Sequence, residues 1–147
     1  MIQSQSMKQV LMVSAASTTA AATATGNIDT LGYDYLKVNV LLPTADAVSN
    51  KPTVLKLSES NDTVVTNFAD ISGFVGGTDF TIPNAISAAT SITQPFATLN
   101  VDLKARKRYI KISVSPATTQ VVNVLGQLSR GSSLPSTSDM ATVVVTA

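Results

Sequence analysis

Phe96-Ala97-Thr98-Leu99-Asn100-Val101-Asp102-Leu103 is the clearest alternation in the chain. Ala97, Leu99, Val101 and Leu103 fall on one side, and Phe96, Thr98, Asn100 and Asp102 on the other. A period of two is the mark of a half-buried β-strand, because successive side chains point to opposite faces. Reading outward, the cationic run Lys104-Ala105-Arg106-Lys107-Arg108 interrupts the pattern. Ile110, Ile112 and Val114 then resume it, with Lys111 and Ser113 between them. Leu36, Val38, Val40 and Leu42 alternate with Lys37, Asn39 and Leu41, and Pro43 ends that strand. Leu55 and Leu57 oppose Lys56 and Ser58, and Val122 and Val124 oppose Val121, Asn123 and Leu125. Residues 8–13 are β-prone as well.

Turn formers separate these runs at Asn61-Asp62, Gly76-Gly77, Pro83-Asn84, residues 105–107, Pro116 and Gly131. No segment longer than ten residues carries the i, i+3, i+4, i+7 apolar stripe of a helix. Residues 14–25 are Ala-rich, but Ser and Thr are interleaved. They read as extended or irregular, with a short helix as the alternative. Residues 83–95 read as a loop with one helical turn near 84–89. Seven or eight short strands without βαβ spacing imply an all-β fold, an antiparallel β-sandwich. The Cys…Trp…Cys mark of an immunoglobulin domain is missing, so a jelly-roll-like arrangement is the first choice. The expected division is a strand and Ala/Thr-rich arm over 1–26, a sandwich core over 27–129, and an arm over 130–147. That last arm is a flexible Gly/Ser/Thr/Pro linker followed by a β-prone Val-rich strand. The terminal strand either returns to its own sheet or adds to a neighbouring subunit's sheet.

Composition narrows function. The 147 residues include no His, Cys or Trp and three Tyr. The commonest general base, the thiol nucleophile and the usual soft metal ligands are therefore missing. Charged residues make up 13%, about half the usual share of roughly 25%. Such a neutral surface is cheap to desolvate against another protein. The net charge of +1 is too small for a general nucleic-acid binder. Nothing approaches the ~18 apolar residues of a membrane span. Lys8 followed by residues 10–13 caricatures a secretory leader, but the apolar run is too short. An edge strand is the preferred reading.

The candidate chemical motifs are weak. The nine carboxylates are spread singly, and sugar clefts are commonly floored by aromatic rings that this chain largely lacks. Residues 59–63 supply oxygens without the spacing of a calcium loop; Asn61-Asp62 reads as a turn in which Asp62 bonds its own backbone. Gly73-Phe74-Val75-Gly76-Gly77 lacks the Lys-Ser/Thr of a phosphate loop and reads as a hairpin connection or bulge. The four cations of 104–108 read as a solvated turn or as a contact for an acidic protein surface. Tyr33 and Tyr35 read as corner packing with a hydroxyl bonded to backbone, or as a recognition patch.

Three of these segments also carry a resemblance. Asp29-Thr30-Leu31-Gly32-Tyr33-Asp34 leads into a strand, Leu57-Ser58-Glu59-Ser60-Asn61-Asp62 leaves one, and Lys107-Arg108-Tyr109-Ile110 begins another. In that order, over about residues 27–128, the chain resembles the head-decoration and cement-like proteins of tailed bacteriophages. Many of those carry a Trp after the acidic turn, where this chain has Val64-Val65. Residues 14–25 and the Val-rich tail also depart from the pattern. The resemblance implies a β-sandwich, commonly trimeric, on the outer surface of the virion head, without catalytic residues. The expectation is a structural protein, not an enzyme, that needs no cofactor or metal. Its partners would be the major capsid protein and further copies of itself as a homotrimer, with neither nucleic acid nor membrane. The expected contacts are Met7, Val10 and Met12 of the first strand, Lys104, Arg106, Lys107 and Arg108 of the basic corner, and Val143, Val144 and Val145 of the last strand. The rival readings are a carbohydrate- or receptor-binding module of a phage fibre or adhesin, resting on Tyr33 and Tyr35, and then a small hydrolase.

Overall fold

The computed structural model describes residues 7–43, 50–84, 96–130 and 143–146. They form nine strands: β1 (Met7–Thr18), β2 (Ala24–Asp29), β3 (Tyr35–Leu41), β4 (Val54–Ser60), β5 (Ala69–Val75), β6 (Ala97–Asp102), β7 (Tyr109–Ser115), β8 (Gln120–Ser129) and β9 (Val143–Thr146). A single 3-10 turn, Val65–Asn67, lies between β4 and β5. Two sheets result, one ordered β1-β8-β3-β6-β9 and the other β2-β7-β4-β5. The molecule is thus an all-β sandwich. β1 pairs with β8, β2 with β7, β3 with β6 and β4 with β5, all antiparallel. The chain behaves as one long hairpin whose tip is β4–β5, rolled so that successive strands fall in two layers.

The alternations read from sequence set the core. Leu36, Val38 and Val40 of β3, Leu99 and Val101 of β6, and Val122 and Val124 of β8 are fully buried on the inner side of the five-stranded sheet. Leu55 and Leu57 of β4 and Ile110, Ile112 and Val114 of β7 meet them from the other sheet, and Phe74 and Phe96 are fully buried in the same core. Each such side chain contributes about 1.5–3 kcal/mol by leaving water.

Several expectations are refined by the strand pairing. The N-terminal arm is, over its described part, integral to the sandwich: β1 lies on β8, and β2 on β7. Residues 14–18 continue β1, and a turn follows in which Ala21 takes a left-handed φ of 61°. β2 shows no alternation in sequence because it buries just one large side chain, Ile28. In β5 the inward residues Ile71 and Phe74 are three apart, because a register shift against β4 breaks the period of two. β1 carries a bulge between Leu11 and Val13, so Met12 and Val13 both turn inward. The expected helical turn at 84–89 lies, beyond Asn84, outside the described residues, as do Gly131 and the linker 131–142.

Candidate functional site

One end of the sandwich gathers the features that sequence had scattered. Met7, Ser129, Tyr35 and Asp102 are level across the five-stranded sheet. Asp29, Tyr109 and Ser60 are level across the other. The β2–β3, β4–β5 and β6–β7 loops therefore emerge together. Thr30 N–H donates to the Arg108 carbonyl (2.9 Å), and Asp34 N–H donates to the Ser129 carbonyl (3.1 Å). These bonds carry the β2–β7 and β3–β8 pairings one residue past the strand ends, each within its own sheet.

Each loop is shaped by a short polar residue. In the β2–β3 loop, Asp29 Oδ1 accepts from Leu31 N–H (3.1 Å), and Gly32 supplies the left-handed step at φ 85°. Leu31 is held outward, 67% exposed. In the β4–β5 loop, Asp62 accepts from Val64 N–H (2.9 Å) and from the Asn67 amide (2.8 Å), while Asp62 N–H donates to Ser60 Oγ (3.1 Å). Those bonds, the Asn67 amide first, hold the Asp62 carboxyl below its ordinary pKa. Asp62 is therefore the turn former the sequence indicated. The turn it fixes thrusts out Val64 (53% exposed) and Val65 (74% exposed).

The basic corner is a mixed-charge corner. Arg108 grips Asp29 with two bonds, Nε to Oδ1 (3.0 Å) and Nη2 to Oδ2 (2.7 Å), and stands over the Tyr109 ring. That guanidinium pulls the Asp29 carboxyl below its ordinary pKa, against a smaller opposing effect of burial. Lys104 Nζ donates to Tyr35 Oη (3.0 Å) and sits over the same ring, which raises the ammonium's pKa. Asp102 and Asp34 add their attraction to Lys104. Lys107 N–H donates to Glu59 Oε2 (3.0 Å), and Lys107 also faces the field of Asp62. Arg130 donates to the Gly32 carbonyl and covers the Tyr33 ring. Every tyrosine of the chain thus lies beside a cation at this end. Arg106 and Lys107 form no ion pair with a described residue. The Arg108–Asp29 pair is exposed and screened by solvent, so it adds little to stability.

The expected contact residues separate accordingly. Met7 is exposed at this end. Met12 is a core residue, buried by the bulge, and cannot serve as a contact. Val10 and Val145 are half-buried against the core. Val143 and Val144 lie in β9, paired in parallel with Ala97 and Thr98. Of the four cations, Lys104 and Arg108 are engaged within the chain. Tyr35 is buried, with its hydroxyl bonded to an ammonium and not to backbone. Sequence reasoning missed Leu31, Val64, Val65 and Arg130. The available signal was a large aliphatic residue inside a polar turn, where no core could claim it.

The outer face of the five-stranded sheet is the second surface. Gln9, Leu11, Leu125, Gln127, Lys37, Asn39 and Leu41 share it by register. Thr98 Oγ1 donates to Asn39 Oδ1 (2.9 Å), and Asn100 is fully buried with neither amide atom bonded. A cleft of about 550 Å³ opens elsewhere, between Lys51-Pro52-Thr53 and residues 76–82. Its carboxylate, Asp79, already accepts from Gly73 and Val75 N–H. No cluster of three His, Cys, Asp or Glu suited to a metal occurs among the described residues. No family model, curated protein or solved structure matches the chain.

Proposed function

We propose that this chain is a virion structural protein that decorates or cements the icosahedral head of a tailed bacteriophage from its outer surface. The observation that carries the reading is the loop end: Leu31, Val64, Val65 and Met7, four of the five large exposed apolar residues among those described, belong to the strand start and loops at the end that holds the charge-balanced tyrosines. An end of that composition suits burial against a protein surface. The strand order 1-8-3-6 over 2-7-4-5 is that of a double Greek key, and on it we assign the sandwich to the jelly-roll class. The activity is adhesive and involves no turnover. Each copy contributes a small apolar contact, and copies joined as a homotrimer on a repeating lattice add by avidity. The acids among the cations shift the expected contact from net charge to apolar burial.

The test is protection of heads that lack the protein. Added wild-type chain raises the temperature at which such heads release DNA, and a Leu31→Ser/Val64→Ser/Val65→Ser variant that folds normally does not. Equal protection by both removes the loop end from the mechanism. The tyrosine cluster gives the receptor-binding reading its one supporting observation. On that reading, glycan-array binding is present and is lost in Tyr33→Ala.

A further inference from the structure

We propose that the last strand is exchanged between copies of this chain: β9 of one copy occupies the β6 edge of its neighbour. The proposal deepens the adhesive reading by naming what joins the copies. β9 differs from the other paired strands in being parallel to its partner. It is four residues long, lies at a sheet edge and comes last in the described chain. Val145 nonetheless packs against the core, and β9 also reaches β5 at the edge of the other sheet. The seat on β6 is therefore specific, whereas the strand that fills it is small and tethered.

The tether's length permits both routes. β8 ends at Ser129, and Arg130 is anchored on Gly32 and Tyr33. By register, Val143 lies level with Val124 of β8, three strands away. The lateral step is about 14 Å and the step back along the strand about 17 Å, a straight path of about 22 Å. Residues 131–142 can reach roughly 40 Å. That reach serves the chain's own β6, and equally the β6 edge of a copy packed alongside. The contacts are the same in either case, so local concentration decides. A short tether holds its strand at an effective concentration on the order of millimolar. Dilute copies close on themselves, and copies crowded on a lattice exchange.

The chain's lack of cysteine makes the test unambiguous. Asn100 and Thr146 are register partners across β6 and β9. Chains bearing Asn100→Cys are mixed with chains bearing Thr146→Cys, refolded together and oxidised. The disulfide joining position 100 of one chain to position 146 of another, separated from symmetric 146–146 dimers by the mass of the linked peptides, then forms only where one chain's tail lies on another's β6. The expected result is little dimer when refolding at 10 µM, and a yield that rises severalfold as refolding concentration approaches 1 mM. In a second arm, residues 132–140 are deleted from both variants. The three residues left reach about 11 Å, too short for self-closure. The deleted chain should be dimeric or larger by light scattering and should give the mixed disulfide at 10 µM. No mixed disulfide from the full-length pair at 1 mM, or a folded deletion chain that stays monomeric, overturns the proposal. Head binding is not read in either arm, so the exchange can fail while the cement reading stands, and the reverse.

Discussion

Gly26→Ala is the sharpest test of how the two sheets are joined. A Cβ at Gly26 would lie 2.0 Å from the Met12 carbonyl oxygen, 2.5 Å from its carbon and 3.1 Å from Val13 Cγ2. The first two are backbone atoms of the β1 bulge, fixed by pairing with β8 on either side. They cannot rotate away, so β1 and β2 must separate by about 1 Å or more. Overpacking of this kind costs about 1–3 kcal/mol, and an immovable neighbour places the cost at the upper end, about 3 kcal/mol. For a domain of this size, the melting temperature falls by roughly 10 °C. The sign is informative. Gly26 has no left-handed φ, so with open space around it alanine would stabilise by about 0.4–1 kcal/mol through the unfolded state. Equilibrium urea unfolding reads the difference. A variant as stable as wild type, or more stable, refutes the placement of the Met12 bulge against β2.

Four further outcomes follow from the same structure. At Gly126 the nearest atoms to a Cβ are side-chain ends, Met12 Sδ (2.9 Å) and Ile28 Cδ1 (3.0 Å). Gly126→Ala should cost about 1 kcal/mol and be partly rescued by Met12→Ala, a rescue that Gly26→Ala should not show in a double-mutant cycle. Asn100→Leu should raise stability by about 1 kcal/mol, because the buried amide has no partner to lose; a loss of similar size would show that it has one. Asp29 is depressed below its ordinary 3.8 in the folded state, so its contribution is present above that pH and is lost as pH falls through the lower folded value. Asp29→Asn should therefore flatten the acid limb of stability, and an unchanged acid limb would contradict the Arg108 grip. Leu31→Ser, Val64→Ser and Val65→Ser should each change stability by under about 0.5 kcal/mol in thermal unfolding, since none of them enters the core.

The fold was legible wherever one face of a strand is buried and the other is not. The alternation of 96–103 became β6, and those of 36–42 and 110–114 became β3 and β7. Legibility failed where another constraint sets the residues. β2 buries one large side chain, Ile28, and its Gly26 passes against a backbone oxygen, so it carries little hydrophobic signal. β5 and β1 are bulged, and a bulge puts inward residues out of phase with a period of two. Met12 was misplaced on the surface for that reason. The candidate site was harder to read, since it is an end of the molecule and not a motif. Asp29, Tyr33, Asp62 and Arg108 were each noticed in sequence. The rolled hairpin that sets their loops side by side, and turns Leu31, Val64 and Val65 outward together, is a property of strand pairing. The dense cations of 104–108 looked like a free positive patch because most of the acids beside them, Asp29, Asp34, Glu59 and Asp62, are far away in sequence.

The central claim, adhesive binding to a virion head, is tested most directly by cosedimentation of the purified chain with heads lacking it, from low to high salt. The proposed reading predicts saturable binding at a fixed ratio to the capsid subunit. It also predicts only a shallow fall with salt, because apolar loop tips and not net charge make the contact. Absence of saturable binding at every salt concentration would contradict the claim.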